Sequence, residues 1–206
     1  MELTELLCAK FCHDLAGPVG AINNGIDFLT SDDKQMQERA IELIEMSSKQ
    51  AINRLTFLRQ AYGFLQDSSE TSITTLKSLV TNYFYKSKVL VNFLIDKDIE
   101  KLDRNILKIA LNLTILASTA IMYNGSLNIY ISNDKNKKPI INIEGIGSIS
   151  KLEPEVTTIL ENESGAEITT RNVQCFYIKN IATAINYKFL TSCVKDKVIF
   201  KALSDE

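Results

Sequence analysis

The stretch Phe11-Cys12-His13-Asp14-Leu15-Ala16-Gly17-Pro18 contains the only histidine of this 206-residue chain. Apolar residues recur around it at intervals of three and four, which predicts one helix over 3–29 with a single apolar stripe. At about 100° per residue, His13 lies about 160–200° from Phe11 and Leu15, so it points away from that stripe. The stripe consists of Leu7, Phe11, Leu15, Val19, Ile22, Ile26 and Leu29.

The helix face around His13 is polar or nearly bare of side chains. A glycine inside a helix costs about 1 kcal/mol relative to alanine, so two glycines on one face suggest that another protein's backbone approaches closely there. Pro18 offers a second, compatible explanation, because it removes a hydrogen bond to the carbonyl of Asp14 and bends the helix. The residues of this face are Lys10, Ala16, Gly17, Gly20, Asn23, Asn24 and Asp27.

A second amphipathic helix follows a short turn at 30–33, whose serine and aspartates are suited to capping it. Two long helices joined by a short turn form an antiparallel hairpin, and pairing two copies into a four-helix bundle buries both stripes. Residues 1–68 are therefore predicted to be a homodimerisation module. The alternative is a hairpin that packs on its own C-terminal domain. The second stripe consists of Met36, Ala40, Leu43, Ser47, Ala51, Leu55, Leu58, Tyr62 and Leu65, and it ends near 67–69.

Residues 72–206 alternate between helical and strand patterns. Helices segregated on one face of a mixed sheet are typical of an α+β sandwich. Helices are predicted at 72–85, 103–123, 154–162 and 173–186, and strands at 89–95, 127–132, 140–144, 187–194 and 198–202.

Composition excludes several classes of function. The net charge of −2 gives no electrostatic footprint for nucleic acid. No apolar run reaches the roughly 18–20 residues of a membrane span, and the chain does not start like an export signal. The four cysteines are expected to be free thiols in a reducing cytoplasm. Cys8 and Cys12 lie one helical turn apart, but a metal site there would lack a fourth ligand, so no metal is predicted.

The run from His13 to Gly25 resembles the ChpT family of bacterial histidine phosphotransferases. His13-Asp14 with a proline five residues after the histidine is similar to the phospho-accepting box of histidine kinases, and residues 173–177 give a weaker match. The resemblance implies a dimeric helical hairpin followed by a degenerate kinase ATPase-like α/β domain. It also implies relay of a phosphoryl group from the receiver domain of a hybrid kinase to that of a response regulator, with Mg²⁺ held by the receiver and no cofactor in this chain.

The resemblance further implies that ATP is not a ligand. Kinase ATPase domains use an asparagine on the long helix, an aspartate before a Gly-x-Gly and a glycine-rich lid. Here Leu116 stands at the asparagine position and Ile143 at the aspartate position, and 148–172 contains only Gly165. The domain is therefore expected to be a scaffold and docking surface. The alternatives are a divergent ATP-dependent sensor histidine kinase and a non-catalytic dimeric scaffold.

The family resemblance, together with the chemistry of the side chains, assigns roles to particular residues. The neutral imidazole of His13 is the expected nucleophile. Asp14 would take its proton or orient the ring, or it is simply a solvating acid. Lys10 would neutralise phosphoryl charge, or it is an ordinary solvated lysine. Gly17 stands where bifunctional kinases often carry a residue that aligns water, which implies little phosphatase activity. The partner-binding set is Lys10, Gly17, Gly20, Asn23, Asn24 and Asp27, with Glu38, Glu42, Glu45 and Lys49 as candidates on the second helix.

Overall fold

The protein, described here as a computed structural model, begins with two antiparallel helices, α1 (Leu3–Phe28) and α2 (Lys34–Tyr62). The structure describes residues 3–63, 70–161 and 166–205. Asp33 caps α2, because its side chain accepts a hydrogen bond of 2.9 Å from the amide of Gln35. The predicted hairpin and its turn are therefore confirmed. The prediction that the second helix ends near 67–69 is wrong, because α2 ends at Tyr62 and Gly63 after it is extended. Leu65 and the domain boundary at residue 68 lie outside the described residues.

The rest of the chain forms a five-stranded mixed sheet with helices against it. The strand order is β2-β4-β5-β7-β6, with β2 and β4 parallel and the other neighbours antiparallel. A second sheet of two three-residue strands, β1 and β3, was not predicted, because so short a strand carries no periodic signal. The elements are β1 (Glu70–Ser72), α3 (Ile73–Tyr83), β2 (Lys88–Ile95), β3 (Lys101–Asp103), α4 (Arg104–Ala120), β4 (Asn124–Asn133), β5 (Pro139–Ile146), α5 (Pro154–Glu161), α6 (Val173–Ala184), β6 (Tyr187–Val194) and β7 (Lys197–Ser204).

The core lies between the helices and one face of this sheet. Alternate residues of β4, namely Leu127, Ile129 and Ile131, are fully buried, as expected for a strand with one covered face. On the edge strand β2, Leu90 and Leu94 face the other way and are exposed. The predicted α+β architecture, with helices segregated on one face of a mixed sheet, is confirmed. In the described part of the chain, no helix combines the length and hydrophobicity needed to span a membrane.

The end of α2 packs into the core of the α/β domain. Phe57 and Ala61 are fully buried, and the ring of Phe57 lies 4.3 Å from that of Tyr83. At the C-terminal end of α2, the hairpin therefore packs on its own C-terminal domain, as the alternative prediction stated. The ring of Tyr62 bridges α1 and α6, since its centroid lies 4.7 Å from that of Phe11 and 5.0 Å from that of Tyr177.

The predicted stripe of α2 divides between two faces. Ala40, Ser47 and Leu58 are buried, whereas Leu55 is 56% exposed. The division has a physical reason: within one chain, α1 covers only one side of α2. The exposed side of the hairpin also carries apolar residues outside the predicted stripe of α2. The exposed apolar residues of the hairpin are Val19, Ile26, Phe28, Leu29, Met36, Ile41, Met46, Ile52 and Leu55.

Candidate active site

His13 lies on the outward side of α1, as the periodicity predicted, and its side chain is 89% exposed. Its Nδ1 is 3.5 Å from Oδ1 of Asp14, and Oδ2 of the same carboxylate is 3.5 Å from Nζ of Lys10. The side chains of Asp14 and Lys10 are each only 20% exposed. If the proton resides on Nδ1, facing the carboxylate, the ring presents its lone pair at Nε2. The arrangement is therefore a solvent-facing imidazole beside an ion pair of Lys10 and Asp14.

The backbone of Asp14 has a contact that the sequence did not predict. Nη1 of Arg54, on α2, donates a hydrogen bond of 2.7 Å to the carbonyl oxygen of Asp14. The two residues are 40 positions apart, so periodicity along either helix gives no indication of the contact. Arg54 is half-buried, and the bond fixes the turn of α1 that carries His13 to the neighbouring helix.

Three glycines of α1 have different surroundings. Apart from the adjacent backbone of α1, a Cβ atom built on Gly17 or on Gly20 would lie more than 4 Å from every residue that the structure describes. A Cβ on Gly25 would lie 2.6 Å from Cγ1 of Ile44 and 3.2 Å from the carbonyl oxygen of Ala40. The close approach of α1 to α2 therefore requires only Gly25, and the packing of this chain does not explain the other two.

The remaining predicted partner-binding residues share the exposed side of α1. Asn23, Asn24 and Asp27 are exposed, and Nδ2 of Asn23 lies 3.5 Å from Oδ2 of Asp27. Together with Gly17 and Gly20 they form a polar surface continuing from His13 towards the hairpin turn. Lys10 differs from this group, because its ammonium group is directed towards Asp14.

A cavity of about 740 Å³ opens beside His13, between α1 and the α/β domain. Its walls combine apolar side chains with charged groups at the rim. Lys151 is paired with Glu153 at 2.8 Å, while Arg171 has no ion pair among the described residues. The lining residues are Ala9, Lys10, His13, Asp14, Leu116, Thr119, Ala120, Met122, Tyr123, Lys151, Leu152, Glu153, Val156, Thr170, Arg171 and Phe200. The histidine thus faces a junction of both parts of the molecule.

Comparison with known proteins establishes the family. Residues 73–197 match the family model of the histidine phosphotransferase C-terminal domain. Protein phosphotransferase ChpT of Brucella abortus strain 2308 is 30% identical over 209 residues, covering 98% of this chain and 95% of that protein. This chain belongs to the histidine phosphotransferase family. The resemblance predicted from the residues around His13 is therefore confirmed.

Solved structures agree with this assignment of the histidine phosphotransferase fold. A bacterial phosphotransferase superposes with a TM-score of 0.83 at 26% identity, over 98% of this chain and 95% of that one. The histidine kinase AdeS of Acinetobacter baumannii gives a TM-score of 0.50 at 16% identity, over 92% and 95% of the two chains. The second likeness concerns the fold alone. It confirms the prediction of a helical hairpin followed by a histidine-kinase ATPase-like α/β domain.

In this histidine phosphotransferase, the two positions that the sequence resemblance equates with a kinase's nucleotide residues have apolar side chains. Leu116 lines the cavity, and Ile143 is fully buried in β5. Gly145 and Gly147 are needed for packing, since a Cβ on either would lie 3.0 Å from an atom of Ile121. The Gly-x-Gly sequence therefore has a structural explanation in the contact between β5 and the end of α4.

Asn112 and Tyr177 connect the hairpin to the α/β domain. Nδ2 of the fully buried Asn112 donates to the carbonyl oxygens of Ala61, at 3.2 Å, and Lys108, at 2.8 Å. The hydroxyl of Tyr177 donates to the carbonyl of Tyr62 at 3.3 Å. Helix-terminal carbonyls lack intrahelical donors, so both contacts cap α2. The 173–177 sequence match thus includes a residue of this junction.

The candidates on the second helix do not act as one group. Glu38, Glu42 and Glu45 are exposed, as a solvated helix face would be. Lys49 is directed instead towards the turn that follows α3, with its Nζ 4.4 Å from the ring centroid of Tyr85. All four cysteines are free thiols, as predicted. Burial raises the pKa of the Cys175 thiol to about 12, which keeps it protonated.

Proposed function

We propose that this chain is the phosphohistidine intermediate carrier of a multistep phosphorelay, accepting phosphoryl groups on His13. The observation that carries the proposal is an exposed imidazole whose Nδ1 adjoins Asp14, in a chain of the histidine phosphotransferase family. Nε2 of His13 attacks the phosphorus of an aspartyl phosphate on a receiver domain. A P–N bond forms, the P–O bond to the receiver breaks, and the aspartate leaves as a carboxylate.

The second half of the relay reverses these bonds. A carboxylate of a response regulator's receiver domain attacks the phosphorus, so a P–O bond forms and the P–N bond breaks. The electron pair of the broken bond returns to Nε2, and His13 leaves as neutral imidazole that keeps its proton on Nδ1. Asp14 orients the ring and stabilises the positive charge that the imidazole carries while phosphorylated. Lys10 holds Asp14 in place at 3.5 Å and adds positive charge near the phosphoryl oxygens. Mg²⁺ and the remaining transition-state charges belong to the receiver, so this chain needs no cofactor or metal.

The receiver docks on the polar side of α1 below His13. The bare backbones of Gly17 and Gly20 leave room for a helix of the receiver, since no other described part of the chain, apart from the adjacent backbone of α1, comes within 4 Å of the positions that their Cβ atoms would take. Asn23, Asn24 and Asp27 supply hydrogen-bonding groups along the same side. The donor is a hybrid histidine kinase and the acceptors are response regulators, all acting in the cytoplasm.

The chain functions as a homodimer. Support comes from the exposed apolar side of the hairpin, where Val19, Ile26 and Ile52 are 54%, 52% and 64% exposed. Such a side is unfavourable in water and is covered when two hairpins form a four-helix bundle. His13 lies on a different side of α1 from the apolar stripe, so the bundle leaves it accessible.

ATP plays no part in the proposed reaction. Leu116 and Ile143 offer no ligand for magnesium or adenine, and Asn112 is engaged in capping α2. These observations favour phosphotransfer over the alternative of a divergent ATP-dependent kinase. The polar, glycine-containing surface beside His13 favours phosphotransfer over the alternative of a non-catalytic scaffold.

A phosphotransfer profile tests the proposal. Every receiver domain of the source organism is phosphorylated with labelled acetyl phosphate and incubated with wild-type chain and with His13→Ala. The wild type should become labelled by a subset of receivers, and His13→Ala should not, although it should keep its fold because the side chain is 89% exposed. Labelling of His13→Ala would contradict the central claim. Magnesium-dependent binding of ATP at micromolar concentration in calorimetry would favour the kinase instead.

A further inference from the structure

We infer that Arg54 is a positioning residue for phosphotransfer at His13, because it supplies the hydrogen bond that Pro18 removes from the turn carrying the histidine. The inference rests on the proposed function for its kinetic consequence. Its structural part concerns only the three residues Arg54, Asp14 and Pro18. The structural part can therefore hold even if the proposed function fails, and the reverse.

The chemistry begins with the proline. In an α-helix the carbonyl of one residue accepts from the amide N–H four positions later. For Asp14 that position is Pro18, which has no N–H. Pro18 lies inside α1, and the helix continues to Phe28. The carbonyl of Asp14 is therefore left without its ordinary donor in the middle of a helix.

Arg54 replaces that donor from the neighbouring helix. Its Nη1 lies 2.7 Å from the carbonyl oxygen of Asp14, a short distance that is typical of a charged donor. Among the described residues, Arg54 forms no ion pair with a carboxylate. A guanidinium engaged with a backbone carbonyl in a partly buried site, rather than with an acid at the surface, indicates a specific role in holding α1.

The bond reaches the imidazole through Asp14. The backbone of Asp14 is fixed to α2 by Arg54, and its carboxylate contacts Lys10 and Nδ1 of His13, each at 3.5 Å. Asp14 is thus held at both ends, and the direction of the His13 ring depends on it. Since a displacement of about 1 Å can cost about a hundredfold in rate, loosening this turn should slow the chemical step.

A double-mutant cycle isolates the contact. Arg54→Met removes the donor, and Pro18→Ala restores the amide at position 18, so that the Asp14 carbonyl regains its helical partner. Arg54→Met, Pro18→Ala and their combination are compared with wild type, using the receiver that labels wild type fastest. Arg39→Met, an exposed arginine on the same helix, is the matched control.

We expect Arg54→Met to lower the maximal transfer rate by about tenfold or more, because Nε2 of His13 is no longer held in the position needed to attack the phosphorus. The receiver concentration that gives half the maximal rate should change by less than about twofold, because the docking side of α1 is untouched. In the Pro18→Ala background the same substitution should change the maximal rate by less than about twofold. Arg39→Met should behave as wild type.

A second readout does not depend on any receiver. His13 is the only histidine, so the imidazole region of the ¹H–¹⁵N NMR spectrum reports on it alone. Arg54→Met should shift its ring signals, and adding Arg54→Met to Pro18→Ala should leave the signals of Pro18→Ala unchanged. If no receiver phosphorylates the wild type, the proposed function fails while this measurement still decides the role of Arg54.

Wild-type rates and unshifted ring signals in Arg54→Met would overturn the inference. So would an equal loss of rate in the presence and absence of Pro18, since Arg54 would then act elsewhere. If Arg54→Met fails to fold, a folded double variant supports the role proposed for the carbonyl, and an unfolded double variant contradicts it.

Discussion

At the scale of single residues, the glycines of α1 separate the requirements of folding from those of the proposed docking of a receiver. Gly25 is buried against Ala40 and Ile44 of α2, whereas Gly17 and Gly20 are exposed and have open space in place of a side chain. Glycine inside a helix is unfavourable by about 1 kcal/mol relative to alanine. Glycine at positions 17 and 20 lowers the stability of the helix and leaves room beside His13.

Gly20→Arg should therefore slow phosphotransfer without harming the fold. Arginine is a better helix former than glycine, so the free energy of unfolding should rise by up to about 1 kcal/mol. Its bulk would stand where the receiver's helix approaches and should lower the transfer rate by about a hundredfold. Urea denaturation and labelled phosphotransfer measure the two effects. Wild-type transfer by the stable variant would show that receivers dock elsewhere.

Gly25→Ala is the matched comparison for this substitution. Its Cβ would lie 2.6 Å from Cγ1 of Ile44, so the helices must separate or Ile44 must change rotamer. The free energy of unfolding should fall by about 1–3 kcal/mol, the range for overpacking in a core. An increase in stability would mean that the hairpin adjusts freely at this crossing.

At the scale of elements, the junction between α2 and the α/β domain also contacts α1, at Phe11, two residues before His13. Asn112 and Tyr177 cap the last carbonyls of α2, and the ring of Tyr62 packs between those of Phe11 and Tyr177. Burial raises the pKa of the Tyr177 hydroxyl to about 12. Burial, with a smaller contribution from the Asp14 carboxylate, raises the pKa of Tyr62 well above its usual value.

These shifts predict alkaline instability with a definite sign. A tyrosine whose folded pKa exceeds its unfolded value of 10.0 stabilises the fold fully below pH 10, and this contribution is lost as the pH rises towards about 12. Urea denaturation at pH 9 and pH 11 should show a lower free energy of unfolding at the higher pH.

Tyr177→Phe should lower the free energy of unfolding by about 1 kcal/mol at pH 9, because the hydrogen bond to Tyr62 is lost. The variant should also show a smaller difference in this free energy between pH 9 and pH 11. The exposed Tyr123 gives the control, Tyr123→Phe. If the stability of Tyr177→Phe fell between pH 9 and pH 11 by as much as that of wild type, Tyr177 would be excluded as a source of the alkaline instability.

At the scale of the whole molecule, the exposed apolar side of the hairpin is the surface on which we propose that a second copy packs. Leu55 lies on it and is 56% exposed in the single chain. Leu55→Asp should leave the chain folded but break the dimer, because the bundle would bury an unpaired charge at a cost of several kcal/mol. Sedimentation at micromolar concentration checks the assembly. Leu94→Asp, at an exposed leucine of β2, should remain dimeric. A monomeric wild type would rule out the bundle.

Much of this protein follows from its sequence because the relevant signals are local. The period of the apolar residues predicted the hairpin and the outward direction of His13, and alternating residues predicted the strands. The run of residues that follows His13 is specific enough to indicate the family by itself. The strands β1 and β3 were missed because three residues carry no period.

Tertiary structure decided the contacts between distant positions. Arg54 meets Asp14 across 40 residues, Asn112 meets Ala61 across 51, and Tyr177 meets Tyr62 across 115. Pro18 shows from sequence that a carbonyl loses its donor, but only the packing of α2 on α1 determines which side chain replaces it. Periodicity reports which face of an element is apolar, whereas the partner of a polar group depends on how the elements are placed in space.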